Sequence, residues 1–121
     1  FYLQYAYARI CNIIKQANKE KLSSNKFYDL TLLEHENEII MLKHMVRFPE
    51  IIDTAYENLE PQYIANYLQQ LASFFHKFYS HCKVISNDTD LTNARIQLIK
   101  AVKIILNNGF NILGISSPER M

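Results

Sequence analysis

The sequence predicts an all-α fold, a compact bundle of about five helices. Only two glycines, Gly109 and Gly114, occur in 121 residues, too few for the turns of a sheet protein of this size. About half of the residues (49%) are apolar and 21% are charged, which is enough apolar surface to bury a core. The apolar residues recur at spacings of three and four, the period of a helix face. The length suits a single domain over residues 1–121.

In the first predicted helix, residues 2–19, Leu3, Ala6, Tyr7, Ile10, Ile13, Ile14 and Ala17 form one apolar stripe. Residues 21–31, with Ser23, Ser24 and Asn25, read as a loop. A second helix is expected from Leu33 to Arg47, with Ile39, Ile40, Leu42, Met45 and Val46 as its apolar positions and its carboxylates in a solvated face. Pro49 fits the first turn of a short third helix, because proline loses no needed N–H there. That helix is expected to bury Ile51, Ile52, Ala55 and Leu59. Pro61 opens the fourth and longest helix, running to about His81. Its wide face of Ile64, Tyr67, Leu68, Leu71, Phe74, Phe75 and Phe78 marks it as central. A polar loop over 83–90 follows, in which Asp88 or Asp90 caps the next helix. The fifth helix is expected from Leu91 to Asn108, pointing Leu91, Ala94, Leu98, Ala101, Val102 and Ile105 inward, with Gly109 as its C-terminal cap. Phe110 to Met121 should form a tail lying against the bundle.

Charge is segregated. Residues 1–28 carry five bases and one acid, residues 29–60 two bases and eight acids, and residues 61–121 six bases and three acids. Two cationic ends flank an acidic middle, so a polyanion would dock on one side only. The net charge of +1 excludes indiscriminate nucleic-acid binding. No run of 18 apolar residues predicts a membrane span. Cys11 and Cys82 form no paired motif, as in a cytoplasmic protein with reduced thiols. The chain opens at Phe1 within a helical pattern, as a piece of a longer protein would.

No catalytic constellation stands out. His76 and His81 are five apart, which turns their rings away from each other; helical zinc ligands fall three or four apart. There is no glycine-rich phosphate loop and no nucleophile elbow. The expectation is no catalytic residue, no metal and no cofactor within this chain. The first helix is more informative. Tyr2, Tyr5, Arg9, Asn12 and Gln16 follow spacings of three, four, three and four, so they form one ridge beside the apolar stripe. Aromatic faces stack unpaired bases, a guanidinium meets phosphates or base edges, and amides read hydrogen-bonding edges. Arg95, at the edge of an apolar face, fits an internal anchor paired with an acid of the middle segment.

Several blocks resemble the anticodon-binding (DALR-type) domain of arginyl-tRNA synthetases. Tyr2 through Cys11 is similar to the family's first helix, with Tyr7 where many members have histidine. Leu59 through Leu68 resembles the start of its long helix, and Phe75 through Tyr79 the end. Ala94 through Leu98 matches, and so does the closing stretch from Asn108 through Pro118, Glu119, Arg120 and Met121. The blocks occur in family order over nearly the whole chain, and the closing Pro118–Met121 is the most specific. The resemblance implies a class I synthetase anticodon-binding fold and a partner, the anticodon stem-loop of tRNA-Arg. It implies a parent enzyme that joins arginine to tRNA with ATP and magnesium on a Rossmann catalytic domain lying outside this chain. It also carries base contacts over to Tyr2, Tyr5, Arg9, Tyr79 and Met121. Two other readings compete: a helical protein–protein module, and the anticodon domain of a related synthetase such as the cysteine enzyme. The closing motif speaks against the second.

Overall fold

The computed structural model describes residues 1–20 and 28–121. Their elements are α1 (Tyr2–Lys19), a 3₁₀ turn (Leu30–Leu32), α2 (Glu36–Met45), α3 (Phe48–Asn58), α4 (Gln62–His81) and α5 (Thr89–Leu113). No strand occurs among the described residues. Residues 21–27 of the expected loop lie outside the described residues. The remainder of that loop leads into the 3₁₀ turn, whose start is capped by Asp29 accepting from the Thr31 N–H at 3.0 Å.

The fourth helix packs against α1, α2, α3 and α5, so the width of its apolar face follows from its neighbours. Leu68, Leu71, Phe75 and Phe78 are fully enclosed, and burying each such side chain contributes about 1.5–3 kcal/mol. Phe74, expected in the core, is only half-buried and meets the His44 ring edge-on with centroids 5.1 Å apart. Pro49 lies in the first turn of α3, and Asp88 caps α5 by accepting from the Leu91 N–H at 3.2 Å.

Several sequence expectations need correction. The helix expected from Leu33 begins at Glu36, because a reciprocal cap sets its start. The His35 ring nitrogen Nδ1 accepts from the Asn37 N–H at 3.0 Å, and the Glu38 carboxylate takes the His35 N–H at 3.0 Å. Its inward face is also rotated from the expected one: Asn37, Glu38, Met41 and His44 are buried, while Ile39 and Val46 are exposed. Glu38 is therefore not in a solvated face. It pairs with Arg95 at 2.8 Å, and Arg95 donates onward to the Lys83 carbonyl at 2.9 Å. Arg95 is thus the internal anchor its position implied. Leu59 is exposed rather than buried: it closes α3 in the left-handed region, at φ 54°. Gly109 does not end α5; the helix runs on to Leu113 and Gly114, at φ 72°, is the cap. A Cβ on Gly109 would lie 2.6 Å from Leu68 Cδ1, so the glycine lets α5 approach α4. Phe110, assigned to the tail, is a fully buried residue of α5.

A second polar device joins α2 to α4. The His44 ring Nε2–H donates to the Tyr67 carbonyl at 3.0 Å, and the Tyr67 hydroxyl donates to the His44 carbonyl at 2.8 Å. The two rings stack at 4.1 Å. Burial pushes the Tyr67 hydroxyl up to about 12, with Arg47 opposing.

Candidate nucleic-acid interface

The first helix turns Ala6, Tyr7, Ile10 and Ala17 into the bundle, which leaves the predicted ridge along its outer edge. Tyr2 and Tyr5 are about half exposed (49% and 48%), so their ring faces remain reachable by a ligand. Beside them runs the C-terminal half of α4, which presents His76 and Tyr79 at i, i+3 spacing. The Arg9 guanidinium lies 5.2 Å from the Tyr5 ring centroid and 4.7 Å from that of Tyr79. It also donates to the Tyr5 hydroxyl at 3.3 Å. Two aromatic rings thus hold one cation in place, as the quadrupoles of their faces favour.

Tyr5, Arg9, Asn12, Gln16, Tyr79 and Met121 line one open groove of about 290 Å³, together with Ala8 and Ile13. Six of the seven sequence-predicted site residues meet there. The seventh, Tyr2, lies one turn along α1 against the His76 ring, with centroids 5.3 Å apart. Tyr5 also neighbours that ring, at 6.1 Å. His76 is a further site residue, beyond the ridge that the spacing of α1 predicts. Its spacing of three from Tyr79 was the available signal. Burial, and then the nearby Arg9 charge, hold His76 below the ordinary histidine range, which favours the neutral ring.

The stretch leading to Met121 is tied to α1 and to α5 at Ser116 and Ser117. Gln4 Nε2 donates to the Ser116 carbonyl at 3.2 Å and to its hydroxyl at 3.0 Å. Ser117 donates to the Asn107 side chain at 2.9 Å. Tyr7 is buried beside Phe110, with ring centroids 5.8 Å apart, and faces away from the groove.

Two further depressions adjoin the groove. One of about 460 Å³ shares Ile13, Gln16 and Tyr79 with it and extends over Ser80–Ile85. The other, about 590 Å³, runs past Asn12, Lys15, Gln16 and Lys19. Gln16 stands where all three meet. Among the described residues, no group of three or more histidines, cysteines or acids could hold a metal ion, and no helix is long and apolar enough to cross a membrane.

Exposed aromatic faces, a stacked guanidinium and amides around an open groove are the side-chain set with which RNA-binding domains can stack and read unpaired bases. The family model of the DALR anticodon binding domain matches residues 3–121, and the chain belongs to that family. It is 41% identical over 121 residues to an arginine–tRNA ligase of Salinibacter ruber, covering 100% of this chain and 22% of the relative. Against the arginine–tRNA ligase of Chlorobaculum tepidum it is 44% identical over 124 residues, again with 100% and 22% covered. The chain thus spans about a fifth of the length of these relatives, and is homologous to the C-terminal region of arginine–tRNA ligases. A crystal structure assigned as an arginyl-tRNA synthetase from Campylobacter jejuni superposes with a TM-score of 0.82 at 25% identity, covering 100% of this chain and 26% of that one.

Proposed function

We propose that this chain grips the anticodon loop of tRNA-Arg, as a single domain over residues 1–121 of a cytoplasmic arginyl-tRNA synthetase. The observation that carries the reading is the groove, in which Tyr5, Arg9, Tyr79 and Met121 converge with the amides of Asn12 and Gln16. The rings of Tyr5 and Tyr79 stack an unstacked base, the guanidinium between them meets its edge or phosphate, and the amides select its hydrogen-bonding pattern. Tyr2 extends the stacking surface along α1 toward His76. Each base–aromatic stack supplies about 1–3 kcal/mol. Lys15 and Lys19 beside the groove outnumber the one acid there, Glu20, and attract the loop backbone, which makes binding weaken as salt rises.

In the parent enzyme this grip positions the acceptor end of the tRNA at a Rossmann catalytic domain elsewhere in the chain, where arginine is joined using ATP and magnesium. This chain alone is expected to bind tRNA without charging it. The test measures binding of wild type, Tyr5→Ala and Arg9→Ala to tRNA-Arg and to tRNA-Arg mutated at the middle anticodon base, with thermal melts as the folding control. Both variants should melt like wild type, bind more weakly and lose part of the middle-base preference. Unchanged affinity and preference in both would reject the groove as the reading surface.

A further inference from the structure

The ring of His76 lies between the exposed tyrosines of α1 and the enclosed Phe75 of α4. We propose that His76 is a positioning residue for anticodon reading: its ring backs those of Tyr2 and Tyr5 and fixes the pair, so that their open faces meet the loop already set, while His76 itself makes no contact with the RNA. The inference rests on the anticodon-loop reading above and deepens it.

Geometry is the first argument. The His76 ring stands 5.3 Å from the Tyr2 centroid at an interplanar angle of 52°, and 6.1 Å from that of Tyr5 at 38°. Both separations fall in the span of about 4.5–7 Å over which aromatic rings attract. Tyr2 and Tyr5 are three apart on α1, so their side chains start on one face, yet each ring still turns about its own side-chain bonds. One ring in contact with both restrains both. The backing ring is itself anchored: Phe75, fully enclosed, lies 5.5 Å from it at 57°. His76 is half-buried, whereas Tyr2 and Tyr5 keep 49% and 48% of their surface open. The tyrosines are thus held on one side and reachable on the other.

The second argument is an asymmetry of support. Tyr5 has another brace, because Arg9 donates to its hydroxyl at 3.3 Å and sits 5.2 Å from its ring centroid. Among the described residues, the ring packed against Tyr2 is that of His76. Tyr2 therefore depends on His76 more than Tyr5 does. Charge is the third argument. Burial first, and then Arg9, keep the imidazole below the ordinary histidine range, so the backing ring is neutral at about pH 7. An uncharged ring packs against the two phenols without competing with Arg9 for the Tyr5 face. Rings ordered before the loop arrives lower the ordering cost of binding. The position asks for a flat uncharged ring, not for an imidazole nitrogen.

The test is a pair of double-mutant cycles. Affinity for tRNA-Arg is measured for wild type, His76→Ala, His76→Phe, Tyr2→Ala and Tyr5→Ala, and for His76→Ala combined with each tyrosine variant, with thermal melts of every protein. Alone, His76→Ala should weaken binding about tenfold, the order expected when two freed rings must be ordered on binding. His76→Phe, which keeps a flat uncharged ring, should restore most of that loss. In the Tyr2→Ala background most of the His76→Ala loss should vanish, and in the Tyr5→Ala background it should shrink less, because Arg9 also braces Tyr5. The positioning role is wrong if His76→Ala binds like wild type, if His76→Phe is as weak as His76→Ala, or if the full loss persists in both tyrosine backgrounds. The last two outcomes are those of a direct contact between His76 and the RNA. If the tyrosine variants weaken binding while any of these three holds, the anticodon reading stands without the positioning role. If neither tyrosine variant weakens binding, or wild type binds no tRNA-Arg, both fall together. If His76→Ala does not fold, His76→Leu, similar in bulk but without a flat face, takes its place in the cycles.

Discussion

Two aromatic clusters lie on the two sides of α4, and they use the same residue types for opposite ends. On the side of α2 and α3, His44, Tyr67 and Phe48 are buried, and the His44 and Tyr67 polar atoms answer each other's backbone carbonyls. On the side of α1, Tyr2, Tyr5 and Tyr79 keep 41–49% of their surface open, and their cation Arg9 is held by rings rather than by a carboxylate. The first cluster has nothing left to offer a ligand. The second is held in place and still has ring faces to give. Saturation of hydrogen bonds and loss of exposed ring area, not residue type, separate an aromatic committed to the fold from one whose ring face stays open.

The comparison breaks most visibly by truncating each cluster. Tyr67→Ala should cost about 3–5 kcal/mol of stability, the range for removing a large buried ring, and should abolish binding only by unfolding the chain; urea denaturation reads the loss. Glu38→Ala should cost a similar amount, about 3–5 kcal/mol, because Arg95 is left enclosed without its partner. Tyr5→Ala should do the opposite: a melt close to wild type and a loss of about 1–3 kcal/mol in tRNA binding by titration. A Tyr5→Ala protein that binds normally but melts early would move Tyr5 into the structural cluster.

A smaller effect tests the close approach of α5. Gly109→Ala gains about 1 kcal/mol of helix propensity but forces a methyl against the enclosed Leu68, and overpacking of this kind costs about 1–3 kcal/mol. The net loss should be about 1 kcal/mol in chemical denaturation; a stabilised variant would show that Leu68 yields. The smallest effect is in pH. His44 is held below the ordinary histidine range by burial first, with the Tyr67 carbonyl opposing and Arg47 adding. Below about pH 6.5 the unfolded chain therefore takes up the proton before the folded one, so stability rises with pH through this window and falls on acidification. The urea midpoint should be lower at about pH 5.5 than at about pH 7.5, and His44→Gln should shrink the difference.

Residues that depend on local spacing were legible in the sequence. The ridge of Tyr2, Tyr5, Arg9, Asn12 and Gln16 required only the period of α1, and Pro49 and Asp88 marked helix starts by their own chemistry. Residues that depend on distant partners were not. Glu38 and His44 look like surface residues until Arg95 and Tyr67, 57 and 23 positions away, are placed against them. Their burial rotated the inward face of α2 away from its apolar residues. Gly109 carries the local signature of a cap, and only the Leu68 side chain above it shows otherwise. The convergence of Tyr79 and Met121 on the ridge came from family resemblance, since no periodicity links α4 and the tail to α1. His76 needed the packing of α4 against α1 before its place beside Tyr2 could be read.

The tether between Gln4 and Ser116 spans 112 positions of sequence, and this has a consequence for the order in which the chain is made. Synthesis delivers α1 first, at about 5–20 residues per second, so the ridge exists long before the wall that faces it. Until Ser116 has left the ribosome, Gln4 has no partner in the tail, and Met121 arrives later still. A nascent chain therefore carries the exposed tyrosines of α1 but only an open trough.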